Sequence, residues 1–384
     1  VAQTVGVVGL GLVGSAALRH LAGRGLAVVG IGVAEPPVLS VHSGPFGSHY
    51  DSGRVTRRLD PSREWAILAD AAIAGYRHLE ERSGIRFHFP TGMVLAERDP
   101  VRVAQVRAVA AELGIAHSEG DLDARVDLVP GHTVFFEPGP AGFIDPRRML
   151  AAQLEVAAAD GARVVLDEVI GLEFGDRVQI LTRQHGIVVV DLVVLAAGPH
   201  TDEMAGAPPL PRFDVRSETV ILAHLEQDEQ VRLKGLPAVL AEVDDDVFAD
   251  VYLVPPTVYP DGTVRLKMGA GRRVPVRLNT AAERRRWMSG NAHRDDLPRL
   301  RRLVKALIPG LSARSFETRP CLITDTRTGL PYIDRLDERT VLAAGGNGYA
   351  GKSADAIGSL TAGLVAGQWE DARLSPALFA AGAV

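Results

Sequence analysis

Residues 9–14 read Gly-Leu-Gly-Leu-Val-Gly, and this spacing falls between a short apolar run, 5–8, and an alanine-rich segment that ends near Gly25. A second apolar run, 26–31, follows. Strand, glycine turn, helix and parallel strand in that order open a dinucleotide-binding unit. Gly9 would permit the tight turn, Gly11 the approach of a pyrophosphate to the backbone, and Gly14 the close packing of helix on strand. The amides of Leu12 and Val13 at the helix start carry a partial positive charge suited to phosphate. A plain structural turn is the alternative, and the position between two apolar strands argues against it.

Further elements follow from periodicity. Trp65, Leu68, Ala72, Tyr76 and Leu79 recur at spacings of three and four and predict one amphipathic helix ending at Gly84. Asp145 as N-cap with Pro146 behind it predicts a second helix running to Gly161. Runs 163–169, 178–182 and 187–195 read as strands, the last a buried central one feeding the turn Ala196-Ala197-Gly198. Residues 215–317 read differently, as short alternating strands with a polar helix over 281–289, and the chain closes with a strand at 340–344, a glycine loop and a helix from about Ser353. No internal repeat or linker separates these parts, so interleaved domains are expected.

Composition narrows the class of protein. The 384 residues exceed one typical domain, and 42 Lys+Arg against 47 Asp+Glu give a net charge of -5, which makes nucleic acid an unexpected partner. The single cysteine, Cys321, excludes an internal disulfide or a multi-cysteine metal site and fits a cytoplasmic protein. None of the 11 histidines has metal-ligand spacing, and the acidic run 244–246 lacks the glycine and closing glutamate of a calcium loop, so no metal is expected. The apolar stretch 5–18 is too short and glycine-rich to span a bilayer, so neither leader nor membrane anchor is expected.

Residues 346–353, Gly-Asn-Gly-Tyr-Ala-Gly-Lys-Ser, satisfy the pattern of a nucleoside-triphosphate loop between a strand and a helix. Too little chain follows Ser353 for the further strand–helix units and the magnesium carboxylate that such a domain needs. The same loop and helix N-terminus suit the stabilisation of negative charge on a reduced flavin ring.

At this point the chain resembles the flavin-dependent amine oxidases of the monomeric sarcosine oxidase and N-methyltryptophan oxidase type, within the D-amino-acid oxidase fold class. The resemblance runs in order through the N-terminal glycine motif and the segment 47–57, Gly-Ser-His-Tyr-Asp-Ser-Gly-Arg-Val-Thr-Arg. It continues through Phe143-Ile144-Asp145-Pro146, Ala196-Ala197-Gly198, Leu266-Lys267-Met268-Gly269, Cys321-Leu322-Ile323-Thr324-Asp325-Thr326 with Asp334 beyond, and Ala344-Gly345 through Lys352. It implies FAD held by Gly9, Gly11, Leu12, Val13, Gly14, Ser48, Arg54, Val169, Ala197, Gly198, Gly346, Asn347, Gly348 and Lys352, with Cys321 in a thioether to the flavin. It further implies Lys267 facing the flavin and activating dioxygen, Arg54 beside the ring, Tyr50 in the catalytic position, and Arg57 and Lys352 holding a substrate carboxylate with Tyr252 nearby. The ordinary alternatives are a buried hydrophobe for Cys321, a solvated lysine for Lys267 and a surface pair for Arg57 and Lys352.

Several positions depart from the family. The acid that ends the second strand aligns with Gly32, with Glu35 three residues later. The active-site histidine before the arginine pair aligns with Tyr50, the tyrosine after the cysteine with Ile323, and the histidine after the lysine with Gly271. These changes fall on the amine side of the pocket while the carboxylate cations stay, which favours an amino or imino acid larger than methylated glycine.

The resulting expectation is an α/β chain in which an FAD-binding Rossmann-like domain (1–83, 145–214, 318–384) interleaves with an antiparallel-sheet substrate domain (84–144, 215–317). Its function would be oxidation of the C–N bond of a carboxylate-bearing amine, giving an imine and hydrogen peroxide, in a monomer or small homo-oligomer. A flavin dehydrogenase using another acceptor, an NAD-dependent dehydrogenase and a non-catalytic flavoprotein are the rivals.

Overall fold

The computed structural model describes residues 3–36, 42, 44–120 and 122–382. The opening glycine motif forms as its sequence predicts: strand Thr4–Val8, helix Leu12–Gly23 and strand Ala27–Gly32, the two strands parallel. They are part of a six-stranded sheet in the order Tyr332–Asp337, Thr340–Ala344, Leu192–Leu195, Thr4–Val8, Ala27–Gly32, Arg163–Leu166. All neighbours are parallel except Tyr332–Asp337, which is antiparallel to its neighbour.

The predicted helices appear as Arg63–Ser83, closed by Gly84 in the left-handed conformation (φ 69°), and Pro146–Ala159, whose N-cap Asp145 accepts from the amides of Arg147 and Arg148. Leu12–Gly23, Pro146–Ala159 and the last helix, Ala350–Val365, cover one face of the sheet through Leu18, Leu21, Ala157, Ala362 and Val365, and Arg63–Ser83 packs on these helices through Trp65 and Tyr76. A three-stranded antiparallel sheet, Val169–Phe174, Val178–Thr182 and Ile187–Val190, covers the other.

Three expectations change in detail. The run 163–169 is split: its strand in the parallel sheet ends at Leu166, the Asp167 carboxylate accepts from the Gln184 and His185 amides, and Val169 opens a strand of the three-stranded sheet. The run 187–195 is two strands in two different sheets, because the Asp191 carboxylate between them accepts from the Thr4 amide (2.7 Å) and from Arg177 (2.7 Å) and breaks the strand there. The last helix begins at Ala350, three residues before the expected start.

A separate eight-stranded sheet has the order Ala313–Asp325, Asp214–Leu225, Val264–Arg272, Phe248–Val258, Ala238–Glu242, Met93–Glu97, Thr133–Glu137, Ser118–Glu119. It is antiparallel throughout except between Ala238–Glu242 and Met93–Glu97. One face packs Ile221, Leu253, Leu266, Met268 and Ala270 against helix Leu297–Leu307. Alternation then turns Glu218, Lys267, Gly269, Gly271 and Tyr252 to the opposite face. The division into two domains at the boundaries above remains a proposal; the point 317/318 falls inside strand Ala313–Asp325. No helix among the described residues is long and apolar enough to cross a membrane.

Candidate active site

A cavity of about 830 Å³ lies between the carboxyl ends of the parallel strands and the open face of the eight-stranded sheet. Carboxyl ends are where ligands bind in sheets of this kind. On the parallel side it is lined by Gly9, Gly11, Leu12, Val13, Ala197, Gly198, Gly346, Asn347 and Gly348, with Ser48 and Val169 at its edge. Two helices start there without a side-chain cap: Gly11 precedes Leu12–Gly23 and Tyr349 precedes Ala350–Val365. Their first amides have no side-chain acceptor, and the dipoles of both favour an anion. Each glycine of the motif has its own reason. Gly9 has φ 96°, a Cβ on Gly11 would meet only open space, and one on Gly14 would collide with the Gly9 carbonyl. Gly14 therefore acts from behind the turn and does not line the cavity.

The closing glycine loop is tied to the strand that carries Cys321. Asn347, at φ 49°, donates its side-chain amide to the Gly345 carbonyl (2.7 Å), accepts from the Thr326 amide (2.8 Å), and gives its own backbone amide to Thr324 (2.9 Å). Lys352 stands in the first turn of the following helix with its ammonium 2.7 Å from Asp60.

Two cation groups flank the short strand Arg54–Thr56. In the first, Asp51 accepts from Arg54 and from Lys267 (2.5 Å), Lys267 also donates to the Gly53 carbonyl (2.8 Å), and Tyr259 donates to Asp51 (3.0 Å). Burial works against the Asp51 carboxylate, yet Lys267 and Arg54 hold it well below the usual range; burial and then Arg54 lower the Lys267 ammonium. In the second, Asp60 accepts from Arg57 (2.5 Å) and Lys352, and the Tyr349 ring lies 5.7 Å from the Arg57 guanidinium and 5.3 Å from the Lys352 ammonium. Burial, then Arg57, lower Lys352 to about 8; against burial, Lys352 and Arg57 hold Asp60 at about 2.

Arg54, Arg57, Lys352, Tyr252 and Cys321 all line the cavity; Lys267 and Tyr50 do not. Lys267 is fully buried behind Asp51, and the Tyr50 hydroxyl turns away to the Ala34 carbonyl (3.2 Å). The cavity position beside Tyr50 is taken by His49, whose Nδ1 is buried without a partner and whose ring burial, with Arg147 and Arg54, brings down to about 3. Cys321 has its sulfur 4.0 Å from Arg54; burial pushes the thiol up while Arg54 pulls the other way.

At the end of the second strand Gly32 is glycine because a Cβ there would come within 2.6 Å of the Leu10 amide nitrogen and 2.8 Å of its Cβ. Glu35, the next acid, is engaged by Arg147 at 2.6–2.8 Å. Sequence reasoning did not single out Asp60, Glu218, Asp250 or His49 as site residues. The adjacency of His49 to Tyr50 was the one visible signal; the others meet their partners only through the fold. The residues present fit FAD along the glycine turns and beside Cys321, and they offer no acid for the ribose at residue 32.

A family model described as DAO, FAD dependent oxidoreductase, matches residues 4–364. The monomeric sarcosine oxidase of Streptomyces avermitilis is 31% identical over 173 residues, which span 42% of this chain and 42% of that protein. Among solved structures, the Tyr258Phe mutant of NikD, an unusual amino acid oxidase essential for nikkomycin biosynthesis, is similar with TM-score 0.77 at 20% identity, covering 98% of this chain and 97% of that one. The L-proline dehydrogenase of P. horikoshii is similar with TM-score 0.74 at 17% identity, covering 99% and 97%. At these identities the solved structures speak for the fold alone.

Proposed function

The chain belongs to the DAO family of FAD-dependent oxidoreductases, and from that premise we propose that it oxidises the C–N bond of a carboxylate-bearing amine, an amino or imino acid, to an imine. The observation that carries this reading is the shared cavity. It brings two uncapped helix starts, the one cysteine and the Arg57–Lys352 pair to the same space. The flavin, when bound, would accept hydride from the carbon beside nitrogen and pass the electrons to dioxygen, giving hydrogen peroxide.

The chain's own groups divide the remaining work. Gly9, Gly11, Leu12 and Val13 would receive the pyrophosphate on backbone amides, and Gly346, Asn347 and Gly348 would bring the second helix dipole to the ring. Cys321 would hold the flavin covalently, with Arg54 4.0 Å away to favour its thiolate. Arg57 and Lys352, sharing Asp60, keep one net positive charge at the cavity wall for the substrate carboxylate. The sarcosine oxidase and NikD likenesses support an oxidase; compartment and oligomeric state rest on no feature of the fold and stay expectations.

A second reading, a dehydrogenase using another electron acceptor, draws support from Lys267, whose charge is matched by Asp51 and which does not reach the cavity. The test is a visible spectrum of the purified protein before and after acid precipitation, with peroxide assayed under air in the presence of amino acids. A yellow pellet that turns colourless in Cys321→Ala supports the covalent link. Turnover of amino acids without peroxide would establish the dehydrogenase, and no flavin in pellet or supernatant would overturn both.

A further inference from the structure

The open face of the eight-stranded sheet has two glycines on its strand Val264–Arg272, and each is covered by a side chain from the neighbouring strand Phe248–Val258. Tyr252 opposes Gly269 and its ring occupies the space where a Cβ would stand; Asp250 opposes Gly271, and its carboxylate lies 2.7 Å from where a Cβ would be. A register shift between Phe248 and Asp250 re-aims the strand at this point. Three features thus direct the Asp250 carboxylate over the middle of the sheet and into the cavity that it lines.

Asp250 differs from the other acids around the cavity in having no ion-pair partner among the described residues. Asp167 has His185, Glu168 has Arg183, Glu203 has Arg285 and Glu218 has Tyr252 (3.1 Å) with Arg216 at 3.8 Å. The Asp250 side chain is exposed and lines the cavity; partial burial pushes its carboxyl up, with the Gly271 amide, Arg216 and Arg102 acting the other way. Tyr349, the ring shared by Arg57 and Lys352, feels the charge of Asp250. A cationic wall and an unpaired acid therefore share one chamber.

We propose that Asp250 is a specificity-determining residue that receives a second, non-reacting cationic nitrogen of the substrate, so that the substrate class is a basic amino acid. This rests on the amino-acid oxidase reading above. The reacting nitrogen is the poorer occupant, because it must be unprotonated to release hydride, and a carboxylate beside it would hold its proton. A distal ammonium or guanidinium remains charged throughout and would pair with an acid that faces the cavity without a cation of its own among the described residues.

The test uses the flavin-loaded protein and unreactive ligands. Straight-chain ω-amino carboxylates of three to six carbons, and the alkyl carboxylates of the same lengths, are titrated by their effect on flavin absorbance. One chain length should bind at least tenfold more tightly than its alkyl counterpart, and Asp250→Asn should abolish that preference. Anaerobic flavin reduction by basic amino acids should correspondingly outpace that by neutral ones of equal length. Alkyl carboxylates binding as well at every length, or a preference that survives Asp250→Asn, would overturn the inference and leave the oxidase reading standing. The length series in the unmodified protein decides this even where the variant does not fold. If neither series perturbs the flavin, the carboxylate site itself falls, and this inference with it.

Discussion

Arg54, Asp51 and Lys267 at one end of the short strand, and Arg57, Asp60 and Lys352 at the other, are the same three residue types in the same charge balance, and they expose different members. In the first group only Arg54 reaches the cavity, and Lys267 is sealed by Asp51, the Gly53 carbonyl and the Tyr252 ring 5.1 Å away. In the second, both cations line the cavity and the acid sits behind them. Composition alone does not make a cation available to a ligand; the side of the ion pair that faces the chamber decides it. The first group suits a fixed local field, the second the capture of an anion.

The comparison can be broken first through stability. Removing one member of a buried ion pair leaves an unmatched charge and costs about 3–5 kcal/mol. Asp60→Asn, at 1% exposure the more enclosed acid, should lower the unfolding free energy by that amount in a urea titration, and Asp51→Asn by less. The double change Asp60→Asn with Lys352→Met should recover much of the loss. Unfolding free energies equal to that of the unmodified protein in all three variants would mean that neither group is a closed pair.

The next effect in size separates the two lysines by function. If Lys267 acts on oxygen through the field it shares with Arg54, Lys267→Met should slow reoxidation of the reduced flavin by roughly 10²–10³-fold and affect anaerobic reduction much less. Stopped-flow measurement of both half-reactions checks this, and equal losses in the two would make Lys267 structural.

Lys352→Ala leaves Arg57 and Asp60 as a neutral pair. Hydrogen bonds to charged groups are worth about 1.5–3 kcal/mol, so a small carboxylate should bind roughly 10- to 150-fold more weakly. The same change should perturb the flavin spectrum, since the helix that carries Lys352 in its first turn opens on the cavity, whereas Arg57→Ala should weaken the carboxylate without that perturbation. Unchanged affinity in both variants would redirect the search to amines without a carboxylate.

The smallest effect is the pH dependence. Lys352 titrates at about 8 in the free protein, and a bound carboxylate raises that value, so binding above pH 8 takes up a proton. Affinity should be level below pH 8 and fall by up to about tenfold per unit above it. The inflection should vanish in Lys352→Ala.

The fold's opening and the helices Arg63–Ser83 and Pro146–Ala159 were legible because they depend on local signals, whereas Pro100–Leu113 and Leu297–Leu307 were not singled out. The spacing of Gly9, Gly11 and Gly14, the αL cap at Gly84 and the Asp145-Pro146 start each specify their element within a few residues. The strand break at Asp191 was hidden because its cause is the Thr4 amide, 187 residues away. The same holds for the site. Lys267 meets Asp51 across 216 positions and Lys352 meets Asp60 across 292, so the residues that seal one lysine and back the other lie beyond any spacing rule. The tilt of Asp250 depends on a register shift that no periodicity announces.

The contact between Leu10 and Gly32 limits what residue 32 can carry. Because the nearest obstacle at residue 32 is the Leu10 backbone nitrogen, shrinking the leucine side chain does not make room for an acid there. A side chain at residue 32 therefore needs the turn at Leu10 to move, so a contact to the ribose is more readily built from another position than by placing an acid there.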